Sequence, residues 1–503
     1  MSAADPSPTD APSGDLDRKV RRGSFWLGGN SIVMRVSNIA VMAVVARLVS
    51  PEEFGIFTLA VVAHAMIVTF AELGIGSAIA RNDLDERAIA PTAITMSVGV
   101  SAALGGLLAV FAEPVASLLG SEAAAPALRI LAISVALSGV FVVPSAQLQR
   151  EFRQNVIFST SLVGTVVGAV VLIGLALVGD GAQAFAWSRV AGQLVTGILV
   201  IVAVSHRYGP GWSRSASRLL IQFGLPLALA NLLSQLIANV DYVYVGHMLS
   251  LRDVGLYTLA FNVSSWASSV LGSILNGIVL PAFSTVRKEG GDIPGTLATS
   301  VRVVGLIAFP IAALTSGLAS PLILTIYGNQ WADAAPIVVI LSVYGAANAI
   351  GQLVANILIA SGRTGVLFSV QVVVLIVLVP ALWLGISTAG LIGISLVHVF
   401  TVVAITIPIY LVSLRRALNV RVLGMLAAGL WPLTAAVAAG GVAYVASHLV
   451  AIPIWQLLLG GLCGGALYLL LTWRSLRRYL PRRSQGRRAK WQSGAQTGTE
   501  QRP

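Results

Sequence analysis

Long apolar runs, one after another, constrain this chain more than any other feature. A helix needs about 20 mainly apolar residues to cross a bilayer, and the 503 residues contain fourteen such runs. Charged residues make up 10% of the chain, against about 25% in soluble domains. The sequence therefore predicts an all-α integral membrane protein with about 14 transmembrane helices. The predicted spans are 24–48, 54–80, 89–112, 126–149, 154–178, 182–205, 219–247, 255–283, 297–320, 335–360, 365–386, 389–412, 422–448 and 453–473.

The basic residues predict how these spans are oriented. If the N-terminus is cytoplasmic, 26 of the 32 lysines and arginines fall in cytoplasmic segments, 3 on the opposite side and 3 inside spans. Cytoplasmic loops of membrane proteins carry an excess of basic residues. We therefore predict that both termini are cytoplasmic and that the basic tail 474–503 lies against anionic lipid heads.

One short motif occurs twice, 200 residues apart. Residues 50–60 read SPEEFGIFTLA and residues 250–260 read SLRDVGLYTLA. In each copy a serine precedes an acidic residue by three positions, which is typical of a capping box at the start of a helix. We predict that Gly55 and Gly255 allow close helix packing, so that the motif has a structural role.

The similarity between the two parts of the chain extends beyond this motif. Residues 114–128 resemble residues 321–338. Six spans in each copy predict two parallel six-helix repeats plus two C-terminal helices, an arrangement found in transporters that bind at the repeat interface. The predicted regions are 1–20 (cytoplasmic polar tail), 21–206 (N-terminal lobe), 216–415 (C-terminal lobe), 420–473 (appended helices) and 474–503 (basic cytoplasmic tail).

Four charged residues inside or beside the spans are candidates for function. Arg35 and Arg189 lie within spans one and six, where a charge is costly, and a guanidinium group suits phosphate oxygens. An ion pair of Arg35 with Glu72 or Asp241 is the alternative. Asp241 is a candidate ion or proton carrier, or else the partner of an arginine. Glu72 is a second candidate for ion coupling, although its place near a membrane face also suits an interfacial residue.

Amide side chains form two stripes with a spacing of four residues, so each stripe follows one helix face. Such stripes join helices through hydrogen bonds or line a wet cavity that binds sugar hydroxyls, and the sequence leaves both roles open. Asn38 is a candidate cavity residue because it shares a helix face with Arg35. His398 is another, because it aligns with Arg189 between the repeats. The stripes are Asn231, Gln235 and Asn239, and Asn348, Gln352 and Asn356.

Motifs of other chemistries are missing from the sequence. It contains no phosphate-cradling loop, metal-ligand cluster or nucleophile triad, and its single cysteine, Cys463, excludes an intramolecular disulfide. A polysaccharide polymerase or ligase needs catalytic groups at the outer face, commonly on a long loop, and no predicted external loop exceeds about 15 residues. We therefore predict a protein that is not an enzyme, with no catalytic residue, metal, cofactor or nucleic-acid partner.

Three segments resemble a known family. ARLVSPEEFGIFTLA (46–60), NVDYVYVGHMLSLRDVGLYTLA (239–260) and IYGNQWADAAPIV (326–338) are similar to segments of bacterial polysaccharide flippases of the Wzx type. These belong to the multidrug/oligosaccharidyl-lipid/polysaccharide exporter superfamily, and the resemblance covers roughly residues 20–420. It places Asp241 at the family's usual acidic position. It also implies two six-helix lobes around a central cavity, in the bacterial cytoplasmic (inner) membrane.

The same resemblance implies a cargo and a mechanism. Family members move polyprenyl-diphosphate-linked oligosaccharides to the outer leaflet by alternating access, for exopolysaccharide, O-antigen or capsule synthesis. Membrane lipids and polysaccharide polymerase or export machinery are the implied partners. A lipid-linked peptidoglycan precursor flippase and a cation-coupled multidrug exporter are the alternatives. Such exporters usually carry an acidic residue within the first lobe, whereas this chain has Arg35 there, which favours an anionic cargo.

Overall fold

The computed structural model describes residues 41–80, 85–268, 292–418, 420 and 422–477. Across these ranges the regular structure is helical, and no strand occurs in them. Eleven helices in the described ranges are long and apolar enough to cross a membrane. The all-α, multi-pass character predicted from the sequence is therefore confirmed. The tails, most of the predicted first span and the end of the predicted eighth span lie outside these ranges.

The helices fall into a first half, a second half and a C-terminal pair. The first half contains α1 (41–48), α2 (Pro51–Ala71), α3 (Ile75–Ala80), α4 (Glu86–Val110), α5 (Ala112–Leu118), α6 (Ala125–Arg150), α7 (Gln154–Val178) and α8 (Gly181–Ala203). The second half contains α9 (Arg214–Met248), α10 (Leu251–Ser264), α11 (Ile293–Gly317), α12 (Ala319–Ile326), α13 (Ala335–Ala360), α14 (Thr364–Phe400) and α15 (Ile407–Leu418). The pair is α16 (Val422–Ser447) and α17 (Pro453–Leu476).

The longest helical stretch is interrupted near its middle. Residues 365–418 form a mainly apolar stretch of 54 residues, far longer than a ~30 Å hydrocarbon core requires at 1.5 Å per residue. Non-helical backbone at Ala389 (φ −142°) and Gly390 (φ +55°) divides α14. The break falls between the predicted spans 365–386 and 389–412. A π-helical turn, Thr401–Thr406, then joins α14 to α15.

The predicted span 54–80 is not one continuous helix, and this prediction was wrong. Leu73 and Gly74 have φ angles of +45° and +62°, and they separate α2 from α3. Gly224 of α9 packs so closely here that a Cβ added to it would overlap the Leu73 carbonyl. Contact with α9, a helix far away in sequence, therefore accompanies the break.

The two repeated motifs form the capping boxes that the sequence predicted. Glu53 N–H donates to Ser50 Oγ (3.2 Å), and Ser50 N–H donates to Glu53 Oε2 (2.8 Å). The same pair of bonds joins Ser250 and Asp253, each at 3.1 Å. Each box satisfies backbone donors that the first turn of a helix leaves free. We call the end of the bundle that carries these two motifs the bend end.

At the bend end the two motifs touch each other. A Cβ added to Gly55 would overlap the carbonyl of Leu251, and a Cβ added to Gly255 would overlap the carbonyl of Pro51. The predicted role of these glycines in close packing is confirmed, and the contact joins α2 to α10. Only a residue without a side chain allows the two helices to approach so closely.

One apolar core crosses from the first half to the second at the bend end. Leu59, Leu128 and Leu259 are at most 1% exposed within it. Trp331 is fully buried there, and its Nε1–H donates to the Ala46 carbonyl at 2.8 Å. The halves are therefore joined at this end by burial and by a hydrogen bond between them.

At the opposite end the described residues form separate cores. One core combines the first half with the start of α9, and the other belongs to the second half. The described residues contain no buried apolar cluster that links these two cores. Members of the former include Ile75, Ile89 and Leu220, and members of the latter include Val304, Leu353 and Leu414.

The segment 204–213, which connects α8 to α9, is fastened to the first half. Gly211 N–H donates to the Pro91 carbonyl (3.1 Å), and Thr95 Oγ1 donates to the Gly211 carbonyl (2.8 Å). Ser213 N–H donates to Thr92 Oγ1 at 3.0 Å. This linker therefore moves with α4.

Candidate functional site

The larger candidate site is a cavity of about 710 Å³ enclosed by helices of the first half, α2, α3, α6, α7 and α8. We call it the first-half cavity. Its wall carries one guanidinium, one carboxyl, two amides and several hydroxyl groups. Polar lining residues include Arg189, Glu72, Gln149, Gln193, Ser138 and Ser145. The structure thus brings together two residues that the sequence singled out, one as a phosphate ligand and one for ion coupling.

Arg189 lines this cavity from the third turn of α8. Among the described residues it has neither a hydrogen bond nor an ion pair. A permanent charge within a membrane-spanning helix is costly unless it faces a polar cavity or a partner. The cavity therefore holds a guanidinium group whose donors are free to bind an anion.

Glu72 lies where α2 ends, and its backbone N–H donates to the Val68 carbonyl at 3.0 Å. Its side chain is exposed and lines the cavity, and no described cation lies within 4 Å of it. Arg189 and Glu72 therefore share one cavity without forming an ion pair. An anionic ligand that reaches Arg189 enters a space that also contains a carboxyl group.

A hydrogen-bonded network forms the wall beside Arg189. His64 is 3% exposed, and its Nε2 lies 3.0 Å from Ser134 Oγ. Ser134 also hydrogen-bonds to Gln193 through its hydroxyl and its carbonyl, the latter at 3.0 Å. Gln193 follows Arg189 by one helical turn, so this network fixes the face of α8 that carries the arginine. Sequence reasoning missed this network because its members are 59 to 70 residues apart.

Asp241 lies on α9 and is 1% exposed. Tyr257 donates its hydroxyl hydrogen to Asp241 Oδ2 at 2.7 Å, and the Tyr242 backbone N–H donates to Asp241 Oδ1 at 3.0 Å. His398 Nε2 lies 3.2 Å from Oδ2. The angle there does not suit a hydrogen bond, and Nε2 has no other partner in the described structure. The described partner of Asp241 is therefore a histidine and not an arginine.

Aromatic rings enclose this pair. The centroids of Phe261 and Tyr344 lie 5.6 and 5.4 Å from the His398 ring, and Tyr257 lies 6.4 Å from it. Tyr242 packs edge-on against Tyr257 at 5.4 Å. His398 is 7% exposed. We call Asp241, Tyr257 and His398 the buried cluster.

One difference between the two motifs points to this cluster. Tyr257 occupies the position that Phe57 occupies in the first motif, so the second motif carries a hydroxyl group there that the first motif lacks. Phe57 stacks on Phe185 at 4.8 Å, in apolar surroundings. The added oxygen of Tyr257 indicates a polar neighbour, and that neighbour is Asp241.

A smaller pocket of about 330 Å³ lies beside the buried cluster. It lies between α13 and residues 261–268, which include the end of α10 and the residues that follow it. We call it the second-half pocket. Asn348 and Gln352 line it together with Ser265 and Ser268. Phe261 and Tyr344 form the wall that it shares with the buried cluster.

The amide stripes differ in what they contact. Gln235 Nε2 donates to Thr69 Oγ1 at 3.4 Å, which joins α9 to α2. Asn239 Nδ2 and Asn356 Nδ2 each donate to a carbonyl one turn earlier in their own helix, at 2.8 Å. Asn231 is exposed. Gln235 therefore joins helices, whereas Asn348 and Gln352 line a pocket, and their binding of sugar hydroxyls stays a prediction.

The remaining predicted residues lie outside the described structure. Arg35 and Asn38 precede residue 41, so their predicted roles stay predictions. In the described ranges no group of three or more histidine, cysteine, aspartate or glutamate side chains is placed to hold a metal ion.

These helices, with a polar cavity and a buried cluster of polar side chains inside apolar surroundings, define a multi-pass α-helical membrane protein. Its fold is that of a solved structure of the lipid II flippase MurJ in an inward closed conformation. The TM-score is 0.72 at 14% identity, over 90% of this chain and 98% of that chain.

The sequence comparisons identify the family. Residues 44–336 match the family described as polysaccharide biosynthesis protein, and the chain belongs to this family. It is 23% identical to the lipopolysaccharide biosynthesis protein WzxC of Escherichia coli K12 over 80% of this chain and 82% of that one. It is 29% identical to the succinoglycan biosynthesis transport protein ExoT of Rhizobium meliloti over 59% of this chain and 60% of that one.

Proposed function

We propose that this protein is a flippase that moves polyprenyl-diphosphate-linked oligosaccharides across the bacterial cytoplasmic membrane for cell-surface polysaccharide synthesis. The observation that carries the proposal is Arg189, which has no ion-pair partner among the described residues and lines a polar cavity of a membrane protein from a polysaccharide biosynthesis family. A diphosphate needs a cation inside the membrane, and a guanidinium group binds phosphate oxygens through paired N–H donors.

The proposed layout has fourteen spans, in two parallel six-helix lobes at 21–206 and 216–415 with appended helices at 420–473. Two pairs of matching features support the repeat. The first is the pair of capping boxes. The second is a pair of glycines with positive φ, Gly120 (φ +109°) in the first half and Gly328 (φ +98°) in the second. Each glycine is followed by a 3₁₀ turn and then by a helix with a proline in its first turn.

The bend end is proposed to face outward, with both termini in the cytoplasm. The arginines predicted to be external lie at this end, and each has a local partner. Arg129 pairs with Glu113 at 2.6 Å, Arg252 pairs with Asp333 at 2.7 Å, and Arg47 donates to the Thr325 carbonyl at 2.8 Å. The most extensive described core that joins the halves lies at the bend end, so the described state is proposed to be closed outward. Transport then requires the Gly55–Gly255 contact to separate.

The cargo is proposed to bind in parts. Arg189, together with Arg35, binds the diphosphate, and Asn348, Gln352 and the exposed Asn231 supply hydrogen bonds to sugars. The polyprenyl tail stays in the bilayer. Moving one charge across 100 mV is worth about 2.3 kcal/mol, so a diphosphate with about two negative charges is driven outward by a membrane potential that is negative inside. A coupling ion, with Asp241 and Glu72 as candidate carriers, is proposed to reset the empty protein.

The test uses purified protein in liposomes that contain a polyprenyl-diphosphate oligosaccharide with a fluorescent sugar. A membrane-impermeant quencher reports the amount in the outer leaflet. Hydrogen bonds to a charged group contribute about 1.5–3 kcal/mol. Arg189→Gln is therefore expected to lower the translocation rate roughly 30-fold, since about 1.4 kcal/mol is tenfold. Arg189→Lys should retain part of the rate, because it keeps the charge and loses the planar fork.

Arg129→Gln is the matched control, because it removes an arginine from an exposed ion pair away from the cavity. It should leave the rate unchanged. A wild-type rate in Arg189→Gln would reject the cation role of Arg189. Wild-type protein that transports an organic cation, but no lipid-linked oligosaccharide, would overturn the proposed function.

A further inference from the structure

We infer that His64 determines specificity in the first-half cavity, where its Nδ1 atom accepts a hydrogen bond from the sugar attached to the diphosphate of the cargo. The inference rests on the proposed flippase function and deepens it, because it names a chemical group that the cargo must present beside its phosphates. The supporting observations are the hydrogen bonds in one wall of the cavity and the one acceptor that they leave unmatched.

Three helices meet in this wall. His64 on α2 hydrogen-bonds to Ser134 on α6, with 3.0 Å between Nε2 and Oγ, and Ser134 hydrogen-bonds in turn to Gln193 on α8. Gln193 lies four residues after Arg189, and side chains one helical turn apart are neighbours. His64, Arg189 and Gln193 all line the cavity. The network therefore ties His64 to the wall that carries the guanidinium group.

The hydrogen bonds to Ser134 determine the orientation of the Gln193 amide. Gln193 Nε2 donates to the Ser134 carbonyl at 3.0 Å. The reverse orientation would set two carbonyl oxygens against each other, so Gln193 Oε1 must face the Ser134 hydroxyl group. Because an amide oxygen is an acceptor only, the hydrogen of the Ser134 hydroxyl group is donated to Gln193.

This orientation in turn determines the tautomer of His64. The hydrogen of the Ser134 hydroxyl group is already donated, so Ser134 Oγ accepts at its contact with His64, and His64 Nε2 must carry a hydrogen. A second hydrogen would create a buried charge on a side chain that is 3% exposed and shares its cavity with Arg189, which is unfavourable. His64 is therefore neutral, and in a neutral imidazole the other nitrogen, Nδ1, is an acceptor.

The Nδ1 atom of His64 is buried and has no hydrogen-bond partner within the described ranges. Buried polar atoms without a partner are rare, and each calls for an explanation. Taking an acceptor out of water without giving it a donor is unfavourable. A ligand that enters the cavity and brings an O–H or N–H group to Nδ1 therefore gains a hydrogen bond that the protein alone does not make.

The chemistry of the proposed cargo leaves one part that can supply this group. The polyprenyl tail is a hydrocarbon, and an ionised diphosphate offers acceptor oxygens. Sugars carry hydroxyl or amide N–H groups, which donate. Because Arg189 lies in the same wall, a diphosphate bound to it brings the sugar attached to that diphosphate towards His64. A site that hydrogen-bonds a substrate group rejects analogues that lack the group, so His64 selects for a donor on this sugar.

The experiment measures how well polyprenyl-diphosphate monosaccharides compete with the fluorescent cargo for translocation in liposomes. The parent compound is whichever of the glucose, galactose and N-acetylglucosamine compounds competes best. In each analogue fluorine replaces one donor group of the sugar, because fluorine is close in size to a hydroxyl group and cannot donate. We expect one analogue to require about tenfold more compound than the parent to halve the translocation rate, which is the effect of one lost hydrogen bond.

Two variants separate sugar recognition from support of the wall. His64→Gln keeps an N–H group that reaches Ser134 and loses the acceptor at Nδ1, so the parent should compete about tenfold less well and no better than the poor analogue. His64→Asn loses the bond to Ser134 and keeps an oxygen near the position of Nδ1, so part of the difference should remain. A purely structural role of His64 predicts the reverse order. His448→Gln, at an exposed histidine that bonds to Tyr444 and Ser447, is the matched control and should change neither value.

Wild-type protein that translocates the fluorescent cargo but does not distinguish the parent from any analogue would overturn the inference. A folded His64→Gln variant that still distinguishes them would do the same. If gel filtration shows that this variant does not fold, ¹⁵N NMR of wild-type protein with labelled histidine decides instead. The parent should shift the Nδ1 signal of one of the five histidines and the poor analogue should not, and equal spectra would reject the role of His64. Wild-type protein that translocates no lipid-linked oligosaccharide would instead reject the proposed function.

Discussion

The first-half cavity and the second-half pocket differ in size, in charge and in how that charge is balanced. The cavity is about 710 Å³ and exposes a guanidinium that has no ion-pair partner among the described residues. The pocket is about 330 Å³, and the carboxyl and imidazole groups near it are buried and face each other. The bend motifs of the same two halves, in contrast, share their capping boxes and their glycine contact. The two motifs are therefore alike in structure, whereas the two cavities differ in their chemistry.

This contrast predicts that equivalent substitutions have equal effects in the bends and unequal effects in the cavities. Four experiments test it, from the largest expected change in stability to the smallest. Each compares a position in the first half with its counterpart in the second half, or with a matched control. Stability is measured by unfolding of the purified protein in detergent.

Gly55→Val and Gly255→Val should have the largest effects. Each side chain would overlap a carbonyl of the other motif, and an overpacked contact costs about 1–3 kcal/mol, occasionally more. We expect both variants to lose about 3 kcal/mol and to lose transport. Gly99→Ala on α4, where nothing lies within 4 Å, is the control and should be near neutral. Loss at only one of the two bend positions would contradict the symmetry of the bends.

Exchanging the Tyr257 and Phe57 side chains between the motifs should have unequal effects. Tyr257→Phe removes a hydrogen bond to Asp241 and should cost about 2 kcal/mol, because bonds to charged groups contribute about 1.5–3 kcal/mol. Phe57→Tyr adds a hydroxyl beside Phe185 and should cost about 1 kcal/mol if that hydroxyl stays without a partner. Equal losses in chemical denaturation would show that Tyr257 contributes only through its ring.

The capping serines should again behave alike. Ser50→Ala and Ser250→Ala each remove the side-chain acceptor for a backbone N–H, which costs about 1 kcal/mol. We expect the two midpoints of thermal unfolding to fall by similar amounts. Ser50→Asp, which keeps a capping oxygen, should recover most of the loss. A large difference between the two serines would mean that one bend depends on contacts beyond its cap.

The exposed ion pairs at the bend end should contribute least. Arg129→Gln and Arg252→Gln break pairs whose side chains are 50–65% exposed, and such pairs contribute about 0–1 kcal/mol. We expect changes below about 0.5 kcal/mol that shrink further at high salt. Unfolding curves at low and high ionic strength check this. A loss that does not depend on salt would point to packing by the arginine stems.

The sequence predicted those parts of the protein that depend on neighbouring residues. Apolar runs predicted the long helices of the described ranges, apart from the break within 54–80, and a serine followed by an acid three residues later located both caps. These predictions succeeded because helical period and capping depend on a few neighbouring residues. The close packing of Gly55 and Gly255 joins distant residues, and it was predicted because the motif occurs twice.

The site was harder to predict because its contacts span the chain. His398 lies 157 residues from Asp241, and nothing in the helical period of α9 or α14 indicates that they meet. The break at Leu73 depends in the same way on contact with Gly224. The presence of Tyr257 where the first motif has Phe57 was the available sequence signal for the site. The structure explains this hydroxyl group, because it donates a hydrogen bond to Asp241.

The capping boxes also bear on how the protein is made. Each box closes within four residues, so it forms as soon as its helix leaves the insertion machinery. The apolar surface around Gly55 has no such local partner, because the residues that cover it begin near Leu251, about 200 positions later in synthesis. Until those residues are synthesised, the first half must therefore remain in the bilayer with this surface against lipid or a chaperone. Interrupted synthesis would release a fragment with correctly formed helices and an unprotected face, which is a natural target for membrane proteases.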